Sequence, residues 1–269
     1  MLEVFHLSFM RNAFMAAILI SILCPSIGVF LVLKRYAMVG DTLSHASFAG
    51  VAIGLVLGES PIIYAFIFTS ICAVLIELLK NYYRQYSDLI LPIILTFSVG
   101  IAITLTSSGK AHGNIESFLF GSILTVEKSD LYTILILSII CVILLKILYE
   151  KLVYITFDEN GAKVANINVK LINYVFALLV GASISVSIRI IGILVVSSMV
   201  AVPVATAMQL NGSFKKTLIY SVIFGFIDII FGLIMSYYLN CAPGGTIALT
   251  SVFVLVTVLI VKILAKEKA

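Results

Sequence analysis

The chain is a succession of apolar runs, each roughly 17–22 residues long, separated by short polar stretches. This rhythm limits the fold more than any other feature. A helix needs about 20 apolar residues to cross a hydrocarbon layer about 30 Å thick. Inside hydrocarbon every backbone polar group must be satisfied by the chain itself, so only helices and closed barrels cross it. The runs are continuous and do not alternate with a period of two, which excludes a β-barrel. The expected fold is an all-α polytopic membrane protein. Composition agrees: 62% of residues are hydrophobic and 11% charged, where soluble domains carry about 25% charged residues.

Helices are expected near 13–33, 42–57, 61–79, 89–107, 130–149, 172–188, 190–208, 218–238 and 246–263. The count is eight or nine. The second run is short, and only Arg189 separates the sixth from the seventh, where a re-entrant pair would lower the number. With the N-terminus outside and the spans alternating, 13 lysines and arginines fall on the inner side, from Lys34 and Arg35 to Lys266 and Lys268. The other four, Arg11, Lys110, Lys128 and Arg189, fall on the outer side. Cytoplasmic loops carry the excess of Lys and Arg, so the N-terminus is expected outside and the C-terminus in the cytoplasm. The net charge of +4 is then topology and not a nucleic-acid footprint, and no nucleic-acid partner is expected.

Residues 1–269 are expected to form a single transmembrane domain. The first 12 residues lack the basic start of a signal peptide, and no small-residue cleavage site follows the first run. They are expected to be retained as a segment lying in the membrane interface. Cys24, Cys72, Cys141 and Cys241 lie in or beside apolar runs with no CxxC pair, the pattern of small core residues.

Two connections exceed a turn. Residues 108–129 should be external, with "IESFLFGSILTV" apolar enough to dip into the interface. Residues 150–171 should be cytoplasmic, and "DENGAKVANINVKL" within them can form a short helix capped by Asp158. Ala162, Ala165 and Ile167, with Asn166 between them, would give that helix a small, shallow docking surface. The competing candidate is 206–217, whose Asn211-Gly212 looks more like a turn.

The informative residues are the polar ones inside apolar runs. A charge at the bilayer centre costs roughly 2.5–3.5 kcal/mol on insertion scales, so it persists with a task or a partner. Asp41 and His45 are four residues apart and share one helix face. A structural hydrogen-bonded pair, a proton relay and a metal-binding pair all fit them. Carboxylate with imidazole suits zinc and manganese, although two ligands do not complete a site. The helix around them is unusually thin, with Gly40, Ser44, Ala46, Ser47, Ala49, Gly50, Ala52 and Gly54. That thinness is expected to line a pathway. Asp228 is the most central carboxylate, a candidate third ligand, proton site or partner of a cation. Glu77 lies near Lys80 and Arg84, as a solvated ion pair would. His6 and His112 are expected to be isolated outer-side histidines. Pro25 and Pro203 fall mid-helix, where bilayer helices tolerate them and can kink.

No G-x-x-x-x-G-K-[ST] phosphate loop, H-E-x-x-H motif or Gly-x-Gly-Asp motif occurs. ATP binding by this chain is therefore not expected. A proton- or sodium-coupled secondary transporter remains open, because Asp and His also suit proton transfer. An intramembrane enzyme is the more remote alternative.

Several blocks in order resemble one family. "FMRNAFMAAILISILCPSIGVFLVLKRYAMVGDTLSHASFAGVAIG" is similar to the opening of the ABC-3 permeases, the membrane subunits of ABC importers for zinc and manganese. "IESFLFGSILTVEKSDL", "ITFDENGAKVANINV", "IRIIGILVVSSMVAVPVATA" and "MSYYLNCAPGGTIAL" resemble its later segments. Two positions depart: Asn168 stands where the family shows Gly-Leu, and Asp228 where a small or apolar residue is expected. The resemblance implies a multi-pass permease in a prokaryotic cell membrane. Two copies would form the path, two separate ATPase subunits would dock in the cytoplasm, and an external metal-binding protein would deliver the ion. Residues 150–171 would be the ATPase-coupling segment. The Asp and His of "GDTLSHA", here Asp41 and His45, would bind the passing zinc or manganese, with no permanently bound cofactor.

Overall fold

The computed structural model describes residues 8–83, 87–109, 115–122 and 128–267. The described residues form eleven helices and no strand. They are α1 (Ser8–Leu33), α2 (Ala37–Leu57), α3 (Pro61–Tyr82), α4 (Ser87–Ser107), α5 (Ile115–Leu119), α6 (Lys128–Phe157), α7 (Glu159–Val164), α8 (Val169–Ile191), α9 (Ile193–Met208), α10 (Phe214–Leu239) and α11 (Pro243–Glu267). Eight of these are long and apolar enough to cross a membrane: α1–α4, α6, α8, α10 and α11. The all-helical polytopic fold expected from the apolar runs is the one observed.

The ambiguous sixth and seventh runs resolve at a glycine. α8 continues through Arg189 to Ile191, and the break falls at Gly192, with φ 83° and ψ 154°. That backbone region is essentially closed to residues with a Cβ. α9 then has only 16 residues, about 24 Å at 1.5 Å per residue. α9 starts at the end where α10 stops and α11 begins, since Gly244 N–H donates to the Phe120 carbonyl at 3.0 Å and Gly192 abuts Phe120 and Gly121. α10 starts at the opposite end, and the five residues 209–213 reach at most about 18 Å. Among the described residues α9 therefore runs from one end of the bundle towards the other, although it is shorter than a hydrocarbon layer is thick.

Other boundaries move outward. α1 begins at Ser8, so part of the expected interfacial leader is the first turn of a span, with Met10 buried. Residues 1–7, which include His6, lie outside the described residues, as do Lys110, His112 and Arg84. α6 runs on to Phe157 and α8 starts at Val169, which reduces the expected 150–171 connection to the short helix α7 and its flanks.

The two ends of the bundle differ in charge. The α1–α2 turn, the end of α3 and α7 meet around one cavity, and Phe214 at the start of α10 packs on Phe30 near the end of α1; at the same end Lys34 Nζ donates to Asn173 Oδ1 of α8 and Lys262 Nζ of α11 to Gln209 Oε1 beyond α9. This end carries Lys34, Arg35, Lys80, Lys163, Lys215 and Lys262. Arg189 and Glu59 lie towards the other.

α2 packs chiefly on α3 and α4, with α9 and α8 beside it. Its small residues serve this packing. All eight are buried. A Cβ on Gly50 would lie 2.6 Å from the Ala65 Cα, and one on Gly54 would lie 2.9 Å from the Pro61 Cα. The thinness expected to line a pathway is in fact what brings α3 to van der Waals contact.

Candidate functional site

α1 ends in a Schellman-type turn. Tyr36 N–H donates to the Leu31 carbonyl at 2.8 Å and Arg35 N–H to the Val32 carbonyl at 3.0 Å, with Arg35 left-handed at φ 60°. Three residues thus separate α1 from α2, and Asp41 and His45 follow in the first turns of α2. Both side chains are half-buried. Neither has a hydrogen-bond or ion-pair partner among the described residues, so the pair is not a closed structural contact. They head a stripe that continues through Phe48 and Val56, the part of α2 that its own chain leaves uncovered.

A second open stripe lies close by. α9 packs against α2, with Val200 opposite Gly40, where a Cβ would meet its Cγ1 at 3.9 Å. Ser197, Ser198, Ala201 and Ala205 are half-exposed along α9. The sequence does signal this face, as small residues at helical spacing in "SSMVAVPVA", but such a pattern does not distinguish packing from an open surface.

The structure does not bring Asp228 to Asp41 and His45. No group of three His, Cys, Asp or Glu residues able to hold a metal occurs among the described residues. Asp228 lies on α10, 1% exposed, with the Ser251 hydroxyl of α11 facing it. Neither closes a hydrogen bond.

At the basic end, Asp158 caps α7 as expected, its Oδ1 accepting from Gly161 N–H at 2.8 Å. Asn168 caps α8, accepting from Leu171 N–H at 3.1 Å, which accounts for the departure at that position. Left-handed Asn166 ends α7, and Ile167 N–H returns to the Ala162 carbonyl at 3.0 Å. Of the expected docking residues, Ala165 and Asn166 are exposed and Ile167 is half-buried. Ala162 is not part of that surface: it is 0% exposed, packed into the bundle. Val164, 86% exposed, takes its place.

Beside α7, a cavity of about 550 Å³ opens between α1, α2, α3, α6 and α8. Glu77 lines this cavity with Lys34 and Lys80 and is not the solvated surface pair expected from sequence. Lys34 Nζ donates to Asn173 Oδ1 at 3.2 Å and lies 5.2 Å from the Phe176 ring centre. Burial pushes the Lys34 ammonium below the usual lysine range, against the pull of Glu77. Lys80 Nζ sits 3.7 Å from the Tyr36 ring centre.

Eight helices long and apolar enough to cross a membrane, with a carboxylate and an imidazole unpartnered among the described residues on one half-open helix face, are the architecture of a membrane transport protein. The chain matches the ABC 3 transport family over residues 6–262, and it belongs to that family. It is 49% identical over 252 residues to the "probable metal transport system membrane protein" of Treponema pallidum (strain Nichols), covering 94% of this chain and 95% of that one. The manganese transport system membrane protein MntC of Listeria monocytogenes serovar 1/2a is 29% identical, covering 92% of this chain and 88% of that protein. The high-affinity zinc uptake system membrane protein ZnuB of Buchnera aphidicola subsp. Acyrthosiphon pisum is 30% identical, covering 89% and 92%. Among solved structures, PsaBC from Streptococcus pneumoniae in complex with Fab superposes with a TM-score of 0.85 at 26% identity, covering 96% and 93%.

Proposed function

We propose that this chain is the permease subunit of an ATP-driven importer that moves a divalent transition metal ion, zinc or manganese, into the cytoplasm. The observation that carries this reading is the Asp41–His45 pair. Two metal donors stand unpartnered among the described residues on a stripe of α2 that its own chain leaves half-open.

A divalent ion crossing hydrocarbon needs ligands to replace its water. A transport site must also let the ion go, so two protein donors with water serve better than a closed set of four. A second copy facing the same stripe would bring a second Asp–His pair to the path. Carboxylate and imidazole together accept both zinc and manganese.

The basic end is the cytoplasmic one on the positive-inside rule, which puts the N-terminus outside. α7, capped at both ends and bearing Val164, Ala165 and Asn166 outward, is the surface for a separate ATPase. A metal-delivery protein would dock at the opposite end. Asp228 stands outside this path.

The test is metal uptake by cells carrying Asp41→Asn or His45→Ala, at limiting external zinc and manganese. Each variant is expected to reach the membrane, assemble with its ATPase and lose uptake by at least about tenfold, the equivalent of about 1.4 kcal/mol of lost stabilisation. Near-normal uptake in both would sink the assignment.

A further inference from the structure

The cavity beside α7 is separate from the proposed metal path. Val39 and Leu43 line it from one face of α2, and Asp41 and His45 stand two residues out of phase with them. Its lining is divided by chemistry. Leu31, Val39, Leu43, Ile76 and Phe176 back it but are themselves buried, so the surface a ligand can reach is mainly polar. The rim carries Lys34, Arg35, Lys80 and Lys163 against Glu77 and Glu159, four positive groups to two negative, an excess of two.

The pairing within the rim leaves that excess on one side. Lys163 Nζ and Glu159 Oε1 are 2.6 Å apart and neutralise each other. Glu77 can offset one of Lys34 and Lys80. Arg35 and the remaining ammonium have no carboxylate. Both lysines are already partly dehydrated, one against an amide oxygen and a phenyl ring, the other against a tyrosine ring. They lose little water on meeting an anion.

Position in the fold selects among anions. The cavity lies where α1 and α3 end and α2 begins, the level at which apolar spans give way to polar loops. Lipid phosphates lie at that level, and basic pockets between spans are suited to anionic head groups. Its volume is within the range of about 300–1,000 Å³ usual for small-ligand sites. Free phosphate shares the charge preference but is not concentrated at that level. A zwitterionic lipid reaches the same level but leaves the charge excess unmatched.

We propose that this cavity binds the head group of an anionic phospholipid, its phosphate on Lys34, Arg35 and Lys80. Assigning that lipid to the cytoplasmic leaflet rests on the orientation proposed above. Glu159, Asn160 and Lys163 of α7 form one side of the cavity. A bound head group therefore braces the ATPase-facing helix against the turn that leads into α2.

The experiment uses the permease–ATPase complex in lipid nanodiscs containing phosphatidylcholine and phosphatidylglycerol, with retained lipid identified by native mass spectrometry. Wild type is expected to retain phosphatidylglycerol over phosphatidylcholine. Lys34→Gln with Lys80→Gln is expected to weaken that retention roughly 30-fold, and Lys34→Arg with Lys80→Arg to preserve it. Arg35 is exposed, so Arg35→Gln provides a check that leaves the packed lysines untouched, with a severalfold loss expected. Equal retention of the two lipids overturns the proposal. So does release of phosphatidylglycerol by inorganic phosphate, which would make free phosphate the ligand. Retention is read without transport, so it can fail while the import reading stands, and uptake can fail with the lipid still held.

Discussion

Both carboxylate oxygens of Asp228 are buried without a hydrogen-bond partner. A buried polar group left unpaired costs about 1–3 kcal/mol. Asp228→Val removes that cost at little change in volume. It is expected to raise the thermal unfolding midpoint of the detergent-purified permease and leave uptake intact. Reduced uptake at unchanged stability would return Asp228 to the metal path. Asp41 and His45 show the opposite environment, half-buried on a part of α2 that its own chain leaves open. Their pairing was legible because i,i+4 spacing is a property of the helix alone. The isolation of Asp228 was not, because its distance from Asp41 depends on which helices meet. Composition says nothing about that.

At the scale of elements, α7 shows how much a cap can reveal. Asp158 predicted the helix start, and the structure has that hydrogen bond. Which face α7 buries was illegible, because Ala162 and Ala165 are the same residue three positions apart. Ala162 faces the bundle and Ala165 faces out. Ala165→Arg is therefore expected to abolish co-purification of the ATPase while metal binding by the permease persists. Full co-purification with normal transport would move the docking surface elsewhere, with 206–217 as the next candidate. The α8–α9 boundary gives the converse lesson. Arg189 is the only charge between the two apolar runs, yet a helix accommodates one arginine readily. Gly192 makes the break, because its backbone conformation and its contact with Gly121 both exclude a side chain.

For the whole molecule, the apolar rhythm sufficed for the class of fold but not for its interior. In a soluble protein the buried face is more apolar than the exposed one. Here lipid-facing residues are as apolar as packed ones, so the pattern carries little contrast between them. The small residues of α2 were misleading for that reason. Energy coupling is also a property of the whole assembly. Uptake is expected to stop on ATP depletion and to survive a protonophore while ATP is maintained. Uptake that survives depletion but collapses with the protonophore would favour a secondary transporter. A last consequence concerns biogenesis. α2 is the least apolar of the eight long spans and carries both Asp41 and His45. Only residues 58–60 separate it from α3, against which Gly50 and Gly54 pack. On leaving the ribosome, α2 alone is a poor substrate for release into lipid. It is expected to linger at the insertion machinery until α3 emerges, so the helix that carries Asp41 and His45 is expected to enter the membrane as half of a hairpin.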